Sequence, residues 1–294
     1  MPVPRKILIR VIGAPLLVAA LCGLLYWGYG FEKQGRTNIP LHILITLVGI
    51  VAAAEFEGMI RARGVITFKR TIVPLAFIIL SMQWYLTRIN GINPFVIFGW
   101  VATGLFVFLA CTVVFRYERF SPEAAGLLLF GFFYVSLLGF LLFPPVPQSV
   151  ASLYLLFLFA AGKGSDMAAF VAGKSIGKHK MAPVVSPNKT WEGGIAGGIV
   201  GTAAGFAILW WTPLRQAYAT VPVAALLLFC LIVTIAGQVG DLVKSAFKRW
   251  AGVKDSGRIL PEFGGMIDMV DSFLIEAPVG AFGTGLLLEM FKGS

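Results

Sequence analysis

The chain has 294 residues, of which 58% are hydrophobic and 13% are charged, and its formal net charge is +10. Soluble domains carry roughly 25% charged residues, so this composition excludes an ordinary water-soluble fold and favours repeated membrane-spanning helices. The positive charge suits anionic lipids and phosphate-bearing ligands. No basic or aromatic-rich module of the kind that binds nucleic acid stands apart from the apolar runs.

Hydropathy predicts an all-α integral membrane protein with about nine transmembrane helices. The predicted segments lie near residues 8–30, 41–59, 72–89, 95–115, 124–143, 149–171, 193–212, 222–243 and 271–291. Short connections with proline separate them, and no internal repeat is evident. We therefore treat residues 1–294 as a single polytopic membrane domain, with N-terminal helices over residues 1–123 and a motif-bearing half over residues 124–294.

The loop charges predict the orientation of this domain. If the N-terminus is cytoplasmic, 19 of the 24 Lys and Arg residues fall on the cytoplasmic side. Because short cytoplasmic loops are enriched in Lys and Arg, we expect the loops over residues 172–192 and 244–270 to face the cytoplasm. A bacterial inner membrane is the expected location, although a membrane of the endoplasmic reticulum type would give the same signals.

The most highly charged stretch of the second half lies between two apolar segments, over residues 240–271. If residues 232–248 form one helix, three polar side chains lie on one face of it, namely Asp241, Ser245 and Lys248. Asp268 and Asp271 follow, one helical turn apart. Carboxylates from two helix ends suit Mg²⁺, which prefers oxygen ligands and takes others from phosphate and water. A solvated loop at the membrane surface is the alternative.

Asp166 lies within an otherwise apolar predicted helix, where Gly162 and Gly164 would allow another chain segment to approach closely. An acidic residue at such a depth is expensive to bury and usually marks a functional site. The sequence therefore predicts a role for Asp166 in a site, as a metal ligand or as a partner of a lysine. A structural ion pair with Lys163 or Lys174 is the alternative.

The segment SPNKTWEGG, residues 186–194, lies between a lysine-rich loop and a glycine-rich helix. Pro187 predicts a turn, and Thr190 is expected to cap the helix with Glu192 in its first turn. A helix N-terminus with free amides beside Lys189 suits phosphate binding. A capped loop without a ligand is the alternative, and the following glycines are expected to permit close helix packing.

Two motifs resemble the phosphatidate cytidylyltransferase (CDP-diacylglycerol synthase) family. One is SAFKRWAGVKDSGRILPEFGGMIDMVD, residues 245–271, and the other is GKHKMAPVVSPNKTWEG, residues 177–193. Two positions depart from the family pattern, since Phe263 replaces a histidine and Met269 replaces an arginine. The resemblance covers the second half of the chain, and the first half is similar only in hydropathy.

The resemblance implies that CTP and phosphatidate react to give CDP-diacylglycerol and pyrophosphate at a site near the cytoplasmic face, with Mg²⁺ as cofactor. The catalytic residues it implies are Asp241, Lys248 and Asp268. The substrate-binding residues are Ser186, Asn188, Lys189, Ser245, Arg249 and Lys254. The ligands for one or two Mg²⁺ ions are Asp241, Asp268, Asp271 and Asp166. The expected partners are CTP, phosphatidate and membrane lipid, without nucleic acid, and a homodimer is left open.

The proposed nucleophile needs no general base, because the second pKa of a phosphate monoester is about 6 and the group is already mostly dianionic. We therefore predict that His179 is not catalytic and that Phe263 is compatible with the reaction.

Three other functions are consistent with parts of this sequence pattern. A cytidylyltransferase for another lipid phosphate, such as an isoprenoid glycerol phosphate, would use the same site. A CDP-alcohol phosphotransferase is disfavoured because its DG-x₂-AR motif is absent. A polytopic transporter would explain acidic residues inside the membrane, but it predicts paired charges at mid-membrane rather than acids gathered at one face.

Overall fold

The computed structural model describes residues 20, 22–34, 38–67, 73–75, 77–78, 81, 94–116, 121–142, 144–257 and 264–292. The main helices of this part are α1 (Ile39–Ala62), α2 (Pro94–Phe115), α3 (Pro122–Ser136), α4 (Ala151–Ser175), α5 (Trp191–Trp211), α6 (Val223–Ala251), α7 (Met266–Val270) and α8 (Phe273–Met290). Residues 22–33 are also helical, and short 3-10 helices occur at Leu137–Leu141, Gln148–Val150 and Pro213–Tyr218.

Six helical stretches of the described part are long and apolar enough to cross a membrane. They are Ile39–Ala62, Pro122–Leu141, Gln148–Ser175, Trp191–Trp211, Val223–Ala251 and Met266–Met290. Each coincides with a predicted segment, so the prediction of a helical membrane protein is confirmed. The predicted segments 8–30 and 72–89 lie largely outside the described residues, and the number nine stays a prediction.

Helix α6 continues to Ala251, past the predicted membrane-spanning segment, which ends at residue 243, and past the helix considered over residues 232–248. Isolated charges are expensive inside a membrane, so charged residues usually mark the end of a spanning segment. In the structure the two lysines of this extension, Lys244 and Lys248, both contact carboxylates. Since the charges are paired, the helix carries them into the bundle without interruption.

One short segment of this mostly helical chain forms strands instead of a helix. Strands β1 (Lys180–Ala182) and β2 (Ser186–Thr190) form an antiparallel hairpin, and the turn lies at residues 183–185. Pro187 lies within β2 instead of forming the predicted turn. A two-stranded hairpin consists only of edge strands, which tolerate a proline because one side of each strand needs no donor. Such short strands are hard to recognise from their sequence pattern.

Close packing of α5 on α4 depends on glycine, as expected. A Cβ atom added to Gly197 would lie 2.8 Å from the carbonyl oxygen of Ser165, and one added to Gly201 would lie 2.6 Å from that of Ala161. Both distances are shorter than real Cβ contacts, so only glycine fits at these two positions. The start of α5, with the hairpin that precedes it, is thereby held against the second half of α4.

Helices α6 and α8 also approach each other at a glycine. A Cβ atom added to Gly240 would lie 2.5 Å from the carbonyl oxygen of Asp271. This contact brings Asp241, the residue that follows Gly240, next to Asp271, which lies between α7 and α8. The polar ends of α4, α5, α6 and α8 thus meet at one end of the bundle.

Candidate active site

A cavity of about 550 Å³ lies between α4, the hairpin, the start of α5, α6 and α7. Seven of the predicted site residues line it, namely Asp166, Ser186, Asn188, Lys189, Asp241, Asp268 and Asp271. Lys163, Lys174 and Lys180 add positive charge to the same walls. The structure therefore brings together residues that are more than 100 positions apart in the sequence.

The centre of the site is an ammonium group surrounded by carboxylates. Lys244 Nζ lies 2.8 Å from Asp241 Oδ1 and 3.5 Å from Asp268 Oδ1, and it also contacts Asp271 Oδ2. We call these four residues the carboxylate cluster. Lys244 and Asp271 are both buried, with 8% and 4% of their surface exposed. An isolated charge is costly to bury. The pairing of opposite charges offsets part of this cost and so allows charged groups inside an apolar helix bundle.

Two further lysines attach neighbouring elements to the cluster. Lys189 Nζ, on β2, lies 2.6 Å from Asp241 Oδ2. Lys248 Nζ, one turn beyond Lys244 on α6, lies 2.7 Å from Asp268 Oδ1. Lys248 is not among the residues that line the cavity, but it pairs with Asp268, which does line it. The Lys189–Asp241 pair joins the SPNKT segment to the charged stretch over residues 240–271, which the sequence offered separately.

Asp166 forms the ion pair with Lys163 that was the structural alternative, and it also lines the cavity. Lys163 Nζ lies 3.0 Å from Asp166 Oδ2 and 3.6 Å from Asp271 Oδ1, and Ser272 Oγ lies 3.3 Å from Asp166 Oδ2. Asp166 is the most open of the four acids, since 37% of its side chain is exposed against 22% for Asp241 and 5% for Asp271.

The carboxylate oxygens are largely engaged by protein donors. Both oxygens of Asp241 contact lysines. Asp268 Oδ2 accepts hydrogen bonds from the Ser256 and Gly265 amides and from Ser256 Oγ. Nowhere in the described part of the chain do three or more His, Cys, Asp or Glu residues form a group placed to hold a metal ion. A metal held jointly by Asp241, Asp268 and Asp271 does not fit this arrangement.

Asp166 does fit a metal that brings most of its own ligands. Its contacts with the described residues run through Oδ2, which leaves Oδ1 for a ligand in the cavity. Mg²⁺ commonly binds one or two carboxylates together with substrate phosphates and water. A single carboxylate oxygen beside a lysine-rich cavity matches that mode of binding.

Three predicted substrate-binding residues lie away from the cavity wall. Ser245 is half-buried on α6 and is not among the residues that line the cavity. Arg249 is exposed and donates through Nε to the Val185 carbonyl at 3.3 Å. Lys254 lines a separate cavity, of about 790 Å³, between α1 and residues 253–257. Their roles stay predictions.

The prediction that no histidine acts as a general base concerns His179, which the structure describes, and Phe263, which stands where the family has a histidine. His179 Nδ1 lies 2.6 Å from Glu192 Oε1, and 79% of the His179 side chain is exposed. It is not among the residues that line the cavity. Phe263 lies outside the described residues, so the effect of this departure from the family pattern stays a prediction.

Sequence reasoning missed Lys244, which it counted only as an orientation signal. Its spacing was the available clue, because Asp241, Lys244 and Lys248 follow one another at three and four residues on a continuous helix. The prediction that Thr190 caps α5 is confirmed, since Thr190 Oγ1 accepts a hydrogen bond from the Gly193 amide at 3.2 Å.

Glu55 was also missed as a contributor to the site. This buried residue of α1 accepts hydrogen bonds from the Met266 amide at 2.9 Å, the Ile267 amide at 3.0 Å and Ser256 Oγ at 2.9 Å. It thus satisfies the free amides at the start of α7, the helix that carries Asp268. No local pattern connects residue 55 to residues 256–267, so the contact is visible only in three dimensions.

The fold and the cavity define a class: an α-helical membrane protein with a lysine- and carboxylate-lined cavity at one end of its bundle. Residues 9–286 match the Cytidylyltransferase family, and the chain belongs to this family. The family resemblance of the two motifs is therefore confirmed.

Three bacterial relatives are named phosphatidate cytidylyltransferase. Those of Staphylococcus haemolyticus and Staphylococcus aureus (strain COL) are 40% and 41% identical to this chain over 174 residues. That of Staphylococcus epidermidis is 38% identical over the same length. Each match covers 59% of this chain and 64% of the relative, so the chain spans less than two thirds of the curated relatives it matches.

The contacts of Glu55 give a prediction for Glu55→Ala. A buried donor left without its acceptor costs about 1–3 kcal/mol, so the start of α7 should open more readily. We expect faster hydrogen–deuterium exchange at the amides of residues 266 and 267 in purified protein. Glu123→Ala, which removes an exposed carboxylate in the first turn of α3, is the control and should leave this exchange unchanged. Unchanged exchange in Glu55→Ala would show that Glu55 does not hold α7.

Proposed function

We propose that the protein transfers the cytidylyl group of CTP to phosphatidate, giving CDP-diacylglycerol and pyrophosphate in phospholipid biosynthesis. The observation that carries this proposal is the ion pair of Lys189 and Asp241, 2.6 Å apart, which joins the first family motif to α6 in the cavity that Asp268 and Asp271 of the second motif also line. The names of the staphylococcal relatives support the same reaction.

The CTP phosphates would bind where β2 meets α5. This corner presents the positive end of a helix and the lysine of SPNKT to the cavity, and both favour an anion. Ser186 and Asn188 line the same wall and would donate hydrogen bonds to the nucleotide. Lys174 and Lys180, which line the cavity and have no acidic partner in the described part of the chain, would neutralise phosphate charge.

The reaction needs little covalent chemistry from the protein. An oxygen of the lipid phosphate attacks the α-phosphorus of CTP in line, the bond to the β-phosphate oxygen breaks, and pyrophosphate leaves. Catalysis of this kind comes mostly from positioning and from stabilising charge in the transition state. Lys189 is the group best placed to contact the leaving phosphates, since Asp241 orients its ammonium group into the cavity wall.

Mg²⁺ is the proposed cofactor, entering with the nucleotide, and Asp166 is the residue that would hold it. When bound, such an ion supplies positive charge to the leaving pyrophosphate. The other three acids inferred from the sequence would not contact the ion. They would position the lysines with which they pair, and these acids are Asp241, Asp268 and Asp271. Another lipid phosphate would use the same cavity. Pyrophosphate release measured with different lipid phosphates would show which of them is the substrate.

The proposed location is a bacterial inner membrane with the cavity facing the cytoplasm. The positive-inside bias supports this orientation, as does the gathering of charged residues at one end of the bundle. CTP is a cytoplasmic metabolite, so the orientation also agrees with the proposed substrate.

The orientation predicts how a cysteine at the hairpin turn reacts. Val184 is 86% exposed, so Val184→Cys should accept a thiol reagent without disturbing the fold. In a background without the three natural cysteines, we expect an impermeant reagent to label it only after cells are opened. If the reagent labels intact cells as fast as opened cells, the hairpin faces the outside and the proposed orientation is wrong.

The site predicts a selective kinetic defect for Lys189→Ala. Charge-assisted hydrogen bonds contribute about 1.5–3 kcal/mol, so the KM for CTP should rise about tenfold or more while the KM for phosphatidate changes little. Pyrophosphate release by purified protein in lipid–detergent micelles measures both constants. Lys292→Ala, which removes an exposed lysine after α8, serves as the control. Unchanged KM for CTP and unchanged kcat in Lys189→Ala would remove the SPNKT segment from the site.

A further inference from the structure

The geometry around Lys244 is that of a cation site filled by a side chain. Its ammonium group contacts one carboxylate from α6, one from α7 and one from the residue that follows α7. Only 9% of the Lys244 side chain is exposed. An ammonium group has three N–H donors, and here it faces three carboxylates.

The same three carboxylates would be unstable together without a cation. Like charges placed close together in a partly buried site repel one another strongly, and each pays a desolvation penalty. The outer lysines do not remove this problem, because Lys189 contacts only Asp241 and Lys248 only Asp268. Among the described residues, Lys244 is the one that bridges all three acids, and Asp271 depends on it together with the more distant Lys163.

We propose that the Lys244 ammonium is a built-in cation that occupies the position between Asp241, Asp268 and Asp271, three of the acids that the sequence predicts as metal ligands. The cluster is therefore assembled before any metal or nucleotide arrives. The consequence for catalysis rests on the proposed function: the site takes one Mg²⁺, with the nucleotide and at Asp166, and needs no second ion among the other three acids.

The proposal is tested by counting metal ions bound in the absence of substrate. Mn²⁺, a spectroscopic substitute for Mg²⁺, is titrated into purified wild-type protein and into Lys244→Gln, and bound ions are counted by electron paramagnetic resonance. We expect Lys244→Gln to bind one more Mn²⁺ per chain than the wild type. Equal numbers of bound ions in the two proteins would overturn the proposal.

Two matched variants separate the position of the charge from its presence. Lys244→Arg keeps a cation at this place and should bind as many Mn²⁺ ions as the wild type. Lys178→Gln removes a positive charge from an exposed residue just before β1 and should also match the wild type. An extra Mn²⁺ ion in Lys178→Gln would mean that net charge alone governs binding, which would contradict the proposal.

Thermal unfolding keeps the test decisive if Lys244→Gln folds poorly. We expect this variant to be destabilised in EDTA and restored by Mg²⁺, whereas the wild type should change little between the two conditions. If Mg²⁺ does not restore it, Lys244→Gln combined with Asp271→Asn removes one of the facing charges and should recover stability. Failure of both Mg²⁺ and the second substitution to restore the fold would contradict a cationic role for Lys244.

These measurements contain neither CTP nor lipid, so their outcome is independent of the proposed reaction. A wild-type protein that releases no pyrophosphate would remove the cytidylyltransferase assignment. An unchanged Mn²⁺ count in Lys244→Gln would remove only the built-in cation.

Discussion

The contact between Lys244 and three carboxylates is the interaction on which the rest of the site depends. It ties α6 to α7 and to the start of α8, and Asp241 extends the same set of charges to Lys189 on the hairpin. Lys163 connects Asp271 with Asp166 on α4. Ion pairs that share partners thus join α4, the hairpin, α6 and α7 around the cavity. Removing one partner leaves buried charge uncompensated, which costs about 3–5 kcal/mol in typical cases.

Such a set of charges is stable in an apolar bundle only if the helices approach closely and in a fixed order. Glycine provides that approach at two places, where α5 crosses α4 at Gly201 and where α6 meets α8 at Gly240. Small residues allow helix backbones to touch, which in a membrane replaces much of the hydrophobic driving force. The glycines therefore determine which acidic and basic side chains become neighbours, although none of them carries chemistry itself.

Much of the fold and part of the site could be predicted from the sequence because their signals are local. Long apolar runs predict helices, and Thr190 with its following glycines predicts a capped helix start. The hairpin escaped prediction because its strands are too short for an alternating pattern. The spanning segment within α6 was predicted to end at residue 243, and only the facing carboxylates show why the helix carries Lys244 and Lys248 onward without interruption.

The roles of Glu55 and Lys244 depend on contacts that no sequence spacing encodes. Glu55 meets α7 across about 200 positions, and Lys244 is distinguished from other lysines only by the acids that surround it. Three of the four predicted metal ligands, Asp241, Asp268 and Asp271, share the Lys244 ammonium as their cation. The chain supplies that cation from α6, one turn away from Asp241.

The most direct test of the central claim follows each phosphate of CTP separately. Purified protein is incubated with phosphatidate and with CTP labelled at either the α- or the γ-phosphate, and the lipid is then extracted. Cytidylyl transfer predicts that the α label appears in the lipid and that the γ label leaves as pyrophosphate. Label from the γ-phosphate in the lipid would indicate a kinase reaction, and the absence of both labels from the lipid would contradict the proposed transfer.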